Sequence, residues 1–416
     1  MDTILNTITA YREERNWSLY DLATHAEMKS TTISTWYNKA MKIRWACARL
    51  IREEQDLFGK IRRKNHMKKI SRRSFLAVCG AMAATAALTA CGGSSASTAG
   101  TAASGSTAGS AASGEVFELK LSTTQTDTSM IYQGLQAAAD KVAEDTDGHV
   151  KVTIYPSSQL GGEEDMIDQA LQGMGIAVLT DAGRLSSYVN DIGIMNMAYI
   201  VDNYEDGMKL MATDTFKGWD ADLANNGVCG LCYNYYDGAR SFMGHKPYKT
   251  PADLKGAVIR TPGADPYVES ISAMGATPYN IAWSEIYNGI QTKSIDGCEV
   301  QLTSAVSSKL YEVCEYVSKT EHINLFNMVI CGQAWFDKLP AEYQEVMKKD
   351  FHDCAYNNAQ DIIAAQADLE KTLTDNGMTI VEVDKDIFRE AVKPAYEKLG
   401  WTELREQLYK EAGVEA

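Results

Sequence analysis

FELKLSTTQTDTSMIYQGLQAAADKVAEDTDGHVKVTIY, residues 117–155, holds three patterns in succession, and their order decides the fold class. Phe117–Ser122 is strand-like. Ser129–Asp145 is an amphipathic helix that stops near Gly148, and Val150, Val152 and Ile154 then alternate with polar neighbours as in a half-buried strand. EEDMIDQALQGM (163–174) is a second helix before the apolar strand IAVLTD (176–181). Repeated strand–helix–strand units favour a parallel or mixed sheet covered by helices, an α/β fold. The pattern restarts near Tyr236. Thr250 and Pro251 open a capped turn, Ala257–Thr261 is a strand, Pro266–Met274 a helix and Thr277–Ile281 a strand. Ser284–Thr292 reads as a helix capped by Ser284, and Gly297–Gln301 as a further strand. No Pro or Gly interrupts residues 341–376, so Pro340 to about Asn376 is predicted as one unusually long helix. In open α/β lobes ligands collect beyond the carboxyl ends of strands, and two facing lobes can close over a solute.

Chain length and charge set the frame. The 416 residues suffice for two lobes with separate cores. The net charge of -15 hides an asymmetry: residues 1–91 carry 16 Lys and Arg against 8 Asp and Glu, the remaining 325 residues 24 against 47. A body this acidic repels phosphate backbones, which argues against nucleic-acid binding by it. No stretch reaches the roughly 18 apolar residues of a transmembrane helix. Cys229 and Cys232 have the spacing of a redox or zinc knuckle, but GVCGLCYNYY (227–236) reads as a buried strand with no second pair beside it. These and Cys298, Cys314, Cys331 and Cys354 are expected as buried, reduced thiols, and no cofactor or metal is called for.

Three segments precede the body. Within residues 1–66, SLYDLATHAEMKSTTISTWYNK (18–39) resembles the helix-turn-helix of phage-repressor-like regulators. Residues 67–91 then combine a basic head (Lys68, Lys69, Arg72, Arg73) with a short apolar run, Phe75 to Leu88, the layout of a secretory signal. SRRSFL resembles a twin-arginine export signal, and LTAC, Leu88 to Cys91, resembles a lipobox, implying lipid on Cys91 and attachment to a membrane. An export signal works at an N-terminus, so the first 66 residues are expected to be a misassigned start or fused fragment. Residues 92–114 are only Gly, Ser, Ala and Thr, a flexible tether spanning roughly 25 Å.

The body itself is recognisable. KVTIYPSSQLGGEEDMIDQALQGMG (151–175), DGARSFMGHKPYKTPADLKGAVIRTPG (237–263), MGATPYNIAWSEIYNGIQTKSIDGCE (274–299) and SKTEHI (318–323) occur in order. Together they resemble the substrate-binding proteins of tripartite ATP-independent periplasmic (TRAP) transporters, DctP type, in lipoprotein form. The resemblance implies a two-lobed periplasmic-binding-protein-like fold with a hinge, crossing strands and a long helix spanning both lobes. It implies no catalysis, and the TRAP membrane subunits as partners. Lobe I is expected to comprise 115–237 plus about 326–365, and lobe II 238–325 plus about 390–416.

The resemblance also assigns a site. Arg260, in VIRTP, matches the arginine that clamps the substrate carboxylate, and its planar fork suits a carboxylate on chemical grounds alone. Arg240, in DGAR, matches a second arginine near the ligand, and Trp283 an aromatic that packs on the ligand body, a core Trp being the alternative. Asp181 matches an acidic position receiving ligand hydroxyls, although capping the next helix explains it equally well. Thr124 or Gln125 is expected to supply a polar contact, and Tyr236 is a weaker candidate of that kind. Where sugar-acid binders commonly carry an asparagine, this chain has Val300, with Gln301 next and expected to point the other way. Folding is expected to survive loss of either arginine.

The expected function is extracytoplasmic capture of a small organic carboxylate (sugar acid, uronate, keto acid or dicarboxylate) for a TRAP transporter. A ligand-presenting receptor subunit for a membrane sensor kinase would carry the same binding residues. No nucleophile elbow, phosphate loop or metal triad supports an enzyme, and the pair Asp296 and Glu299 reads as structural.

Overall fold

The computed structural model describes residues 116–414. The helix-turn-helix-like segment, the export signal with Cys91 and the tether lie outside the described residues. In chain order the elements are β1 (Phe117–Ser122), α1 (Met130–Asp145), β2 (Val150–Tyr155), α2 (Glu163–Leu171), β3 (Ile176–Asp181), α3 (Ala182–Leu185), α4 (Tyr204–Met211) and α5 (Asp214–Asn225). Then follow β4 (Val228–Gly244), α6 (Pro251–Leu254), β5 (Val258–Arg260), α7 (Asp265–Ala273), β6 (Thr277–Tyr279), α8 (Ile286–Gln291), β7 (Gly297–Gln301) and α9 (Leu302–Ser307). The chain ends with β8 (Tyr316–Gly332), α10 (Gln333–Phe336), α11 (Ala341–Asp375), β9 (Thr379–Val381), α12 (Lys385–Leu399) and α13 (Thr402–Ala412).

The strands join in the order β2-β1-β3-β8-β4-β7-β5-β6, with β9 on β8. β1, β2 and β3 are parallel, as the strand–helix alternation requires, and so are β7, β5 and β6. Between these two parallel groups run β4 and β8, 17 residues each and antiparallel to one another. One end of β8 pairs with β3, where Asp181 faces Asn327, while the far part of β4 pairs with β7, where Arg240 faces Gln301. Both strands therefore pass from one lobe into the other. Their register slips at four places, including Tyr236/Gly238, where Gly238 takes a φ of 96° that an L side chain resists.

The buried apolar residues form two clusters, the larger of which extends to Phe242, Ile259 and Ile271. One is built on Leu119, Leu121, Val152, Val178 and the buried faces of α1 and α11; the other gathers Ile286, Ile290, Cys298, Val300, Leu310 and Val317. The long helix α11 forms as its uninterrupted sequence predicts, at about 1.5 Å per residue or roughly 52 Å. It packs on α1 and β4 and reaches the second core through Leu373. α12 packs against α7, and α13 against α4. One cap differs from expectation. Ser284 does not cap a helix but lies inside a short 3-10 turn, Trp283–Glu285; the Glu285 carboxylate reaches back to the Ala282 amide, and α8 follows directly.

Candidate functional site

The carboxyl ends of β1, β3, β5, β6 and β7 converge on a cleft of about 990 Å³ whose floor is formed by β4 and β8. Of the residues singled out by sequence, Thr124, Gln125, Asp181, Arg240, Arg260 and Trp283 line it. Tyr236 does not; it is buried on β4 beside Tyr204 and Phe326, and its hydroxyl donates to Asn324 Oδ1 at 2.7 Å.

Arg260 ends β5 because the following Pro262 and Gly263 cannot continue a central strand. Its residue is only 4% exposed, yet no carboxylate of the described residues lies within ion-pair distance. The Nε donates to the Ile281 carbonyl at 3.2 Å, and the guanidinium carbon lies 5.7 Å from the centre of the Trp283 ring. Burial, reinforced by the like charge of Arg240, pulls its pKa down to about 10. It remains a cation at neutral pH, largely desolvated and without a carboxylate partner among the described residues. Trp283 is half-buried and packs on the second core while its ring faces Arg260.

Arg240 is placed quite differently. Its Nε donates to Glu299 Oε2 at 2.5 Å, and Nη2 donates to Glu299 Oε1 at 2.7 Å and to the Glu299 carbonyl at 2.6 Å. Thr261 donates its hydroxyl to the same carboxylate at 2.6 Å, and His322 Nε2 stands 3.4 Å away. Burial alone would raise the Glu299 carboxyl; the guanidinium and His322 outweigh it and leave the pKa at about 2. Arg240 is thus a wall of the cleft whose charge is already neutralised.

Asp181 caps α3 by accepting from the Arg184 amide at 3.1 Å and also pairs with the Arg184 side chain. Arg184 reaches Glu164 at 3.0 Å and Glu163 at 3.5 Å as well. Burial and the neighbouring Asp181 raise Glu163 to about 7 against the pull of Arg184. At the floor stands Asp237, fully buried on β4. Its Oδ2 accepts from Gln125 Nε2 and Gln301 Nε2, each at 3.1 Å, and its Oδ1 accepts from the Thr303 hydroxyl at 2.7 Å. Burial raises this carboxyl to about 6 despite those donors and the charge of Arg240.

Sequence reasoning passed over Asp237, Arg184 and Glu163, and assigned Glu299 only a structural part. A signal was present for Asp237: an acid inside the apolar run YNYYDGARSFMG is buried when the strand is, and a buried carboxylate needs donors. Val300 joins the second core and Gln301 lines the cleft, contrary to the expectation that Gln301 points away from it: the alternation of the strand turns the glutamine, not the valine, into the cleft. Asp296 accepts from the Val258 amide at 2.7 Å and Glu299 holds Arg240, so neither carboxylate of that pair is free. Among the described residues no group of three or more His, Cys, Asp or Glu could hold a metal ion.

Residues 121–401 match the family described as bacterial extracellular solute-binding protein, family 7, DctP. The sialic acid-binding periplasmic protein SiaP of Vibrio cholerae is 25% identical over 280 residues, which is 67% of this chain and 87% of that protein. A TRAP periplasmic solute-binding protein of Escherichia fergusonii, solved in an apo open form, is 32% identical with a TM-score of 0.64, covering 71% of this chain and 99% of that one. Another, from Actinobacillus succinogenes with bound L-galactonate, is 26% identical with a TM-score of 0.67, covering 70% and 99%. Two parallel strand groups joined into one sheet by crossing strands, a long helix along it and a cleft at the strand ends agree with that match in both sequence and shape: the chain belongs to the DctP family of extracytoplasmic solute-binding proteins, those of the TRAP transporters.

Proposed function

We propose that the protein captures a small organic carboxylate (a sugar acid, uronate, keto acid or dicarboxylate) outside the cytoplasmic membrane, holds it on Arg260, and delivers it to TRAP membrane subunits by closing its two lobes. One observation carries this reading: a buried guanidinium at the end of β5 that faces the cleft without a carboxylate partner among the described residues. A buried charge is costly unless paired, so the site is built for an anion that arrives with the solute. The planar fork of Arg260 favours a two-oxygen acceptor, and Trp283 covers one face of it. Relatives recorded with sialic acid and L-galactonate support the same ligand class.

In this reading Trp283, Thr124 and Gln125 contact the solute beside Arg260, and Arg240 and Asp181 shape the walls through their own ion pairs. Lobe I takes residues 115–237 and about 326–365, and lobe II 238–325 and about 390–416. A lipid on Cys91 tethers the exported protein, an expectation resting on LTAC and the tether after it.

A thermal-shift screen over sugar acids, uronates, keto acids and dicarboxylates tests the function. An acid at about 100 times its dissociation constant should stabilise the fold by roughly 2.7 kcal/mol. A folded protein that no acid in the panel stabilises would overturn the proposal. For the anchor, intact mass of the protein recovered from cells should show a lipidated chain beginning at Cys91; an unmodified cysteine there would refute it.

A further inference from the structure

The cleft has one end where a buried guanidinium meets no carboxylate of the described residues and another that presents unpartnered amide oxygens. At the first, Arg260 offers N–H groups. At the second, Asp237 has drawn two side-chain amide nitrogens toward itself: Gln125 from the loop after β1 and Gln301 from the end of β7 donate to one oxygen, Oδ2. Turning either amide over would set its oxygen against the carboxylate, so the orientation is fixed by charge rather than by convention. The consequence falls on the opposite side of each amide. Both Oε1 atoms are left as acceptors, and among the described residues neither has a hydrogen-bond partner, although both side chains line the cleft.

The adjoining wall has the same polarity. Glu163, Glu164, Asp168 and Asp181 line the lobe I side, and the cation among them, Arg184, is engaged by three of the four. A second carboxylate placed at this end would meet acceptors and like charge, and no unengaged guanidinium. An ammonium would find attraction in the wall, but the acceptors left unpartnered at the floor are neutral amide oxygens, and Asp237 is already supplied with three donors. Hydroxyl groups match that pattern.

We propose that Asp237, by orienting Gln125 and Gln301, makes the floor a hydroxyl-accepting subsite, so that the solute is a polyhydroxy monocarboxylate and dicarboxylates are discriminated against. This inference rests on the carboxylate reading of Arg260 and narrows it. Asp237 is a positioning residue here; the two glutamines make the contact.

Titration calorimetry on the full chain provides the test, with a panel of C4–C6 aldonates and uronates set against succinate, fumarate, glutarate and L-glutamate. The tightest binder should be a polyhydroxy acid, ahead of every dicarboxylate and of L-glutamate by about tenfold or more, since a site built for hydroxyls is left unpaired by an analogue lacking them. Asp237→Asn supplies a donor of its own and releases the amides to turn, so the margin over succinate should shrink by about tenfold in a protein of unchanged circular dichroism. Should that variant fail to fold, Gln125→Leu, at a half-buried loop position, should weaken the aldonate or uronate about tenfold and leave succinate unchanged. A dicarboxylate or L-glutamate that binds as tightly as the best polyhydroxy acid, with binding lost in Arg260→Ala, overturns the inference and leaves the carboxylate reading standing. Failure of every acid to bind removes both.

Discussion

At the scale of single residues the two arginines make opposite predictions. Arg260 has no carboxylate partner among the described residues, so Arg260→Ala should leave folding intact while stranding the solute carboxylate; the loss is about 3–5 kcal/mol, or roughly two to three and a half decades in dissociation constant. Arg260→Lys should restore little of it, because an ammonium cannot reproduce the planar fork. Near-normal affinity in calorimetry on folded Arg260→Ala would mean the clamp lies elsewhere. Arg240→Ala removes the partner of a fully buried Glu299 carboxylate, and here the structure departs from the sequence-based expectation that folding survives. Stability should fall by about 3–5 kcal/mol, seen as a melting temperature lower by roughly 10 °C. The difference was invisible in sequence because both arginines end or interrupt apolar runs. Which of them already owns an acid depends on β4 lying beside β7, a pairing of segments about 60 residues apart.

Carboxylates at this scale also set a pH profile. Asp237, held at about 6, and Glu163, at about 7, sit above their unfolded values, so the stability they contribute is complete below about pH 4 and is lost as pH rises through 6 and 7. Glu299, held at about 2, acts in the other direction: its contribution is present above about pH 4.3 and is lost as pH falls toward 2. The melting temperature of the unliganded protein should therefore peak on the acid side of neutrality and decline from about pH 5 to 8. Glu163→Gln should flatten the alkaline part of that decline, and an unaltered profile in the variant would count against the assignment.

At the scale of elements, the close contact between α1 and α11 carries a sharp requirement. A Cβ at Gly134 would lie 2.5 Å from Asn358 Cγ, while Asn358 Nδ2 donates to the Met130 carbonyl at 2.8 Å. Gly134→Ala should displace that asparagine and cost about 1–3 kcal/mol, measured as a lower urea midpoint. Adding Asn358→Ala should recover part of the loss; strict additivity of the two would show that they do not share the contact. The helices themselves were legible. Ser129 caps α1 by accepting from the Tyr132 amide, and α11 runs from Ala341 to Asp375 because nothing in its sequence stops it. The crossing strands were much less so. GVCGLCYNYY reads as buried, but its continuation through Asp237–Gly244 crosses a Gly and two charged residues that local pattern marks as a break. Pairing with β8 over most of its length and with β7 over Arg240–Gly244, helped by the bulge at Gly238, keeps it a strand.

For the whole molecule, an open cleft of about 990 Å³ is at the upper limit of a pocket that encloses a small solute. Closure on an acid should contract the protein. Small-angle scattering with a saturating sugar acid should give a smaller radius of gyration than without it, and superimposable curves would argue against lobe movement. That two lobes face a cleft at strand ends follows from the alternation of strands and helices. The carboxylate chemistry of the floor does not, since Asp237 draws its donors from the loop after β1 and from the segment around β7 and α9.

The floor of that cleft is formed by the same two strands that pass between the lobes. Asp237 on β4 and Leu325 on β8 lie between the parts that pair with β3 and with β7, and Asn327 and Arg240 stand at the inner ends of those parts. Closure as proposed would make the molecule a calliper: the jaws would pivot on the surface against which the object rests, so the angle at which they stop would be a reading of what lies between them. A short acid would let the lobes meet and a long one would prop them apart. The outer surface offered to a membrane partner would then report the dimensions of a cargo that the partner never touches.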